Sequence, residues 1–185
     1  MQKEIEKSLE VIKAGGTLLY PTDTIWGLGC DATNPDAVEK IIQLKKRSGK
    51  SFIVLLDNIN DLFKYVKDVP EVAYELIEVS DKPLTIVFDG GKNLAPNVLN
   101  EDGSVGIRIV KHPFCEQLIR KFRKPIVSTS ANISGEPSAM SFDEVSDEIK
   151  SGVDYVVDFE RSKKSHAASS IIKLGSGGLI KILRK

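Results

Sequence analysis

The sequence predicts an α/β fold: one domain over residues 1–185, built as an open, twisted, mixed sheet with flanking helices. Three observations predict it. Short β-prone runs and amphipathic helical segments alternate irregularly along the chain, which suits a partly parallel, partly antiparallel sheet. With 185 residues, of which 41% are hydrophobic and 28% charged, the chain is long enough to bury a substantial core. No internal repeat or low-complexity linker divides it.

Taken in order, Ile5, Leu9 and Ile12 recur at helical spacing with charges between them, and Gly15-Gly16 ends that first helix. Thr17 to Tyr20 is a β-prone run stopped by Pro21. Ala37, Val38, Ile41, Ile42 and Leu44 line a second helix with Asp36 near its start and Lys45-Lys46-Arg47 at its end. Phe52 to Leu56 reads as a buried strand, residues 59–79 as two helical pieces broken near Pro70, and Leu84 to Phe88 as another strand. Lys92 to Gly103 is rich in turn formers. Val105 to Val110 alternates as a strand, residues 114–122 form a helix, and Pro125-Ile126-Val127 is a short buried strand. A short helix over Phe142–Ile149 precedes three late strands at Tyr155–Val157, Ser170–Ile172 and Leu179–Ile182.

The bulk properties exclude several function classes. Lys plus Arg number 26 and so do Asp plus Glu, so the net charge is zero, unlike a protein that coats nucleic acid by charge alone. Two distant cysteines, Cys30 and Cys115, build neither a disulfide framework nor a zinc site, and are expected as buried thiols in a reducing, cytoplasmic setting. The first residues lack the pattern of a signal peptide, and no apolar run reaches membrane-spanning length. Gly49-Lys50-Ser51 is not a Walker loop, because position 44 is Leu and the order of helix and strand is reversed. Gly175-Ser176-Gly177-Gly178 sits between two short strands and reads as a hairpin turn. His112 and His166 belong to no hydrolase or zinc motif and read as surface or loop histidines.

Four segments carry chemistry. Ser128-Thr129-Ser130-Ala131-Asn132-Ile133-Ser134-Gly135 follows a buried strand with hydroxyls and an amide, which either cap a turn or surround a polar ligand. In Tyr20-Pro21-Thr22-Asp23-Thr24-Ile25-Trp26-Gly27, extended backbone would put Thr22 and Thr24 on one face, with Trp26 open to a simple core role. Lys45 and Arg47, at a helix end, either complement the helix dipole or grip phosphates. Arg108, inside the apolar run Val105 to Val110, needs an acceptor: a buried carboxylate of the chain, or the carboxylate or phosphate of a ligand.

Together these segments resemble the YrdC/TsaC family, the threonylcarbamoyl-AMP synthases of tRNA modification. The resemblance covers nearly the whole chain and rests on YPTDTIWGLGCDA, KKR, VGIRI, STSANISG, ASSIIKL and ILRK in that order. It implies a large positive cavity on the predicted sheet, in which L-threonine, bicarbonate or CO2 and ATP, with Mg2+, give threonylcarbamoyl-adenylate and pyrophosphate. Transferase proteins of the same system then use the adenylate for t6A37 modification of tRNA. Lys45-x-Arg47 and Ser130-x-Asn132 match the pairs associated with active members, which implies a catalytic role for all four. The resemblance assigns threonine to Thr24, Arg108, Ser130 and Ser169 or Ser170, and ATP to Lys45, Arg47, Ser51, Ser104, Asn132 and Arg184. It assigns no metal-ligating side chain. Ser48, Lys50-Ser51-Phe52 and Lys82-Pro83-Leu84 depart from the proline-rich pattern common in the family. Ending at Lys185, the chain is expected to be the single-domain type. The alternative is a paralogue that binds RNA, tRNA or double-stranded RNA, or a nucleotide without turnover, or that serves only within a tRNA-modification complex.

Overall fold

A computed structural model describes residues 1–46, 52–165, 167–175 and 179–185. Among these, nine strands join into one sheet in the order β7-β1-β2-β6-β3-β5-β4-β8-β9. The strands are β1 (Leu18–Tyr20), β2 (Gly27–Gly29), β3 (Ile53–Leu56), β4 (Leu84–Phe88), β5 (Val105–Ile109), β6 (Ile126–Ser130), β7 (Tyr155–Val156), β8 (Ser170–Leu174) and β9 (Ile180–Arg184). The pairs β1–β7, β3–β5 and β4–β8 are parallel and the others antiparallel, so the sheet is mixed as the sequence predicts.

The helices are α1 (Gln2–Lys13), α2 (Pro35–Leu44), α3 (Leu62–Tyr65, after a 3-10 turn at Ile59–Asp61), α4 (Glu71–Val79), α5 (Pro113–Phe122) and α6 (Asp147–Gly152). Each start has a local cause. Asn34 accepts from the backbone N–H groups of Asp36 and Ala37 ahead of Pro35, and Ser146 accepts from Ile149 N–H. This second cap sets α6 back from the predicted Phe142 start. Phe142 instead packs against Trp26, with ring centroids 4.9 Å apart.

The strands' two-residue alternation sorts the core into two layers. Leu18, Tyr20, Leu55 and Ile126 face α1 and α5, meeting Ile5, Ile12, Phe114, Leu118 and Phe122. Leu19, Leu28, Val54, Leu56 and Val127 join Val38 and Ile41 of α2 in the other layer. At β2 the chain threads between neighbours too close for any side chain. A Cβ added to Gly29 would lie 2.5 Å from both Val127 O and Tyr20 Cε1. Tyr20 Oη also donates to Val127 O. The strands on both sides are hydrogen-bonded in place, so Gly29→Ala is expected to cost about 3 kcal/mol, read as a lower urea midpoint at unchanged slope.

Candidate active site

The helical cover over one sheet face is incomplete, and a hollow of about 270 Å³ opens there. Register explains its floor. Leu55 pairs with Arg108 and with Ile126, and both Leu55 and Ile126 lie in the layer under α1 and α5. Two residues earlier on the same face, Ile53 pairs with Ser128 and Gly106. Ile53 and Ser128 of this row line the hollow, together with Arg108 from the row beside it and Ile171 from β8. One wall is apolar, from Ile25, Trp26 and Phe52. Thr24, Ser130 and Ser169 add hydroxyls around it. The volume lies near the lower edge of the range for small-molecule sites, about 300–1,000 Å³.

Two arginines reach this hollow. Arg108 is only 3% exposed, and its Nη2 lies 3.1 Å from Oδ1 of Asp23, whose side chain is also largely buried. The ion pair is electrostatic but poorly aligned. Among the described residues, Arg108 Nε and Nη2 and Asp23 Oδ1 have no hydrogen-bond partner. A buried guanidinium with unmatched donors at the wall of a cavity is arranged for a second anion. Arg184 enters from the sheet's edge, where Nε donates to Ser169 O at 2.9 Å and Nη2 lies 3.3 Å from Ser169 Oγ. A β-bulge between Ile171 and Ile172 shifts the register beside it; bulges of this kind re-aim a side chain. Partial desolvation first, and the Arg108 charge second, pull the largely exposed Arg184 below the usual arginine range.

Thr24 is held by its neighbour. Thr22 Oγ1 accepts from Thr24 N–H at 3.0 Å, lies 2.9 Å from Thr24 Oγ1, and donates to Ile25 O. The two hydroxyls meet in a turn rather than along an extended strand. On the far side of β6, Lys45 follows the end of α2 and is 2% exposed. Its Nζ donates to the carbonyls of Ser130 (2.5 Å) and Asn132 (2.6 Å) and lies 3.4 Å from Asn132 Oδ1. Asn132 Nδ2 donates to Ile133 O and Glu136 O. Lys45 and Asn132 therefore shape the strand exit that presents Ser130, and neither lines the hollow itself.

A family model, Sua5/YciO/YrdC, described as telomere recombination, matches residues 10–185. The chain belongs to the Sua5/YciO/YrdC family. It is 32% identical over 161 residues to a threonylcarbamoyl-AMP synthase of Pseudoalteromonas translucida, covering 85% of this chain and 86% of the relative. It is 35% identical to that of Hahella chejuensis, over 82% and 83% of the two chains. Among solved structures, Sua5 of P. abyssi complexed with L-threonine matches with a TM-score of 0.84 and 28% identity over 97% of this chain. This chain spans 53% of that Sua5, about half its length. YciO of E. coli, at 23% identity and a TM-score of 0.85, shows the fold alone.

Within this Sua5/YciO/YrdC chain, Thr24, Arg108, Ser130, Ser169 and Arg184 come together around one hollow. Ser170 is the neighbour of Ser169 and does not line it; strand alternation turns its side chain to the opposite face. Ser104 is buried outside the hollow, donating to Asp102 Oδ1 and lying 3.0 Å from Asn100 Nδ2. Its hydroxyl, and Lys173 after it, hold the Asp102 carboxyl well below the usual carboxylate range. Arg47, Ser51 and His166 lie outside the described residues. His112 corrects the expectation of a surface histidine: it is 2% exposed, with Nε2 3.1 Å from Glu160 Oε2. Asp23, the ion-pair partner of Arg108, is not among the residues the sequence singles out, although an acid between two threonines is a signal for it. Both cysteines are buried and unpaired. Among the described residues no helix is long and apolar enough to cross a membrane.

Proposed function

We infer that the chain is a threonylcarbamoyl-AMP synthase, a nucleotidyltransferase that converts L-threonine, bicarbonate or CO2, and ATP into threonylcarbamoyl-adenylate and pyrophosphate. The observation that carries this reading is Arg108: a buried guanidinium with unmatched donors, in a hollow of amino-acid size ringed by Thr24, Ser130 and Ser169. Threonine's carboxylate sits on Arg108, with its hydroxyl and amine among the surrounding hydroxyls. The apolar wall of Ile25 and Trp26 takes its methyl group. ATP lies towards Arg184, with Asn132 and Lys45 fixing the β6 exit and Arg47 and Ser51 assigned to the nucleotide by resemblance.

The chemistry balances in two steps. Threonine's ammonium and bicarbonate give a carbamate, releasing water and one proton. A carbamate oxygen then attacks the α-phosphorus of ATP, a P–O bond forms, and the bond to the departing pyrophosphate breaks. Mg2+ arrives on the phosphates as part of the ATP substrate. The protein's contribution is positioning, with guanidinium groups stabilising the charge that builds on the phosphoryl oxygens. The adenylate passes in the cytoplasm to threonylcarbamoyl-transferase proteins acting on tRNA.

Purified protein given ATP, Mg2+, bicarbonate and labelled threonine is expected to release pyrophosphate and form a labile adenylate, with omission of any one substrate abolishing both. Nucleotide or RNA binding without pyrophosphate release would identify a non-catalytic binding module instead.

A further inference from the structure

Asn100 also lines the hollow, and its amide is held one way round. It sits in a tight turn, where Asn100 N–H donates to Ser104 O and Gly103 N–H to Asn100 O, each at 2.9 Å. From β8, Lys173 Nζ lies 2.9 Å from Asp102 Oδ2 and 3.3 Å from Asp89 Oδ1, which pins the Asp102 carboxylate. That carboxylate only accepts, so the Ser104 hydroxyl commits its one proton to it. Ser104 Oγ is left to accept, and the group 3.0 Å away must be the amide nitrogen of Asn100. Asn100 Oδ1 therefore turns away from Ser104. Among the described residues nothing donates to this oxygen, and it is not sealed from solvent.

This fixed acceptor stands apart from the two arginines. Ser104, just before β5, and Arg108 are four residues apart on one face, roughly 13 Å at the rise of a strand. Gly106 comes between them on that face, so the floor carries no side chain there. Arg184 belongs to the Arg108 end: it is tied to Ser169, and Ser169 to Thr85, which the β4–β5 register sets level with Arg108. Phe52 and Ile53 belong to the Asn100 end, since Ile53 pairs with Gly106. Among the described residues, both cations of the hollow thus lie at one end. The other end offers an apolar wall, a bare floor and one acceptor. A threonine held on Arg108 leaves that end to the nucleotide. With the phosphates drawn to the arginines, the flat base arrives beside Asn100. Adenine presents an amino group, a donor, at the position where guanine presents a carbonyl, an acceptor.

We propose that Asn100 selects the base: its Oδ1 accepts from the 6-amino group of adenine and disfavours purines with a 6-carbonyl. The proposal rests on the synthase reading, which supplies the nucleotide. ATP and ITP differ at this position and test it. The parent is expected to show an ITP KM about tenfold above its ATP KM, because the carbonyl of ITP leaves the acceptor unpaired. Asn100→Ala is expected to raise the ATP KM about tenfold, the loss of one hydrogen bond, with the ITP and threonine KM values within twofold of the parent. Ser104→Ala leaves Asn100 in place but unties its amide, so the preference for ATP shrinks without disappearing. A parent indifferent between ATP and ITP would overturn the proposal. So would an equal rise of both nucleotide KM values in Asn100→Ala, which would place Oδ1 on a ribose hydroxyl instead. Calorimetry with AMP and IMP reads the same preference without turnover. A parent that favours AMP through Asn100 yet makes no adenylate would refute the synthase reading and leave the base selection standing.

Discussion

With Arg108 replaced by alanine, the chain is expected to need about a hundredfold more threonine for half-maximal rate, while AMP binds within a few-fold of the parent. The size follows from geometry. Arg108 is buried, so its donors meet the carboxylate away from competing water, and losing such a pair costs several times what an exposed one would. The same substitution strands Asp23, whose buried carboxylate then has no cation beside it, and this lowers stability by about 3–5 kcal/mol. Arg108→Lys separates the two effects. It keeps a positive charge for Asp23, so the melting temperature largely recovers. It lacks the planar fork, so the threonine KM stays high. Equal losses of threonine and AMP affinity in Arg108→Lys would assign the residue to the nucleotide instead.

Lys45→Ala is expected to act through shape. Two buried-side carbonyls, those of Ser130 and Asn132, lose their donor. Leaving them unpaired costs about 2–4 kcal/mol, enough to lower the melting temperature by roughly 6–12 °C in a domain of this size. Because the β6 exit carries Ser130 into the hollow, kcat/KM falls for threonine and ATP together. An unchanged melting temperature with a rise confined to the ATP KM would make Lys45 a direct phosphate ligand, the role its position beside Arg47 suggests in sequence.

Much of this arrangement is legible in the sequence, and the exceptions have physical reasons. Long apolar runs such as Leu84 to Phe88 and Val105 to Ile109 announce themselves as strands because both faces are covered. Gly27-Leu28-Gly29 does not, since a three-residue strand holding two glycines has no periodicity, and only its neighbours reveal why glycine is required. The hydroxyls of Ser128, Thr129 and Ser130 read as a loop beyond the strand, yet they belong to β6: the ladder to β2 and β3 overrides their turn preference. Thr24, Arg108 and Ser130 were recoverable as candidates because polar groups in apolar runs demand a reason. Whether Ser169 or Ser170 faces the hollow depends on strand phase, which the motif alone leaves open. The burial of His112 depends on Glu160, 48 residues away, and no local pattern encodes such a contact.

The most direct test is a crystal structure with L-threonine bound. The carboxylate is expected within hydrogen-bonding distance of the Arg108 guanidinium, with Thr24, Ser130 and Ser169 around the amine and hydroxyl. Threonine lodged elsewhere, or turned so that its carboxylate faces Ile25 and Trp26, would contradict the account.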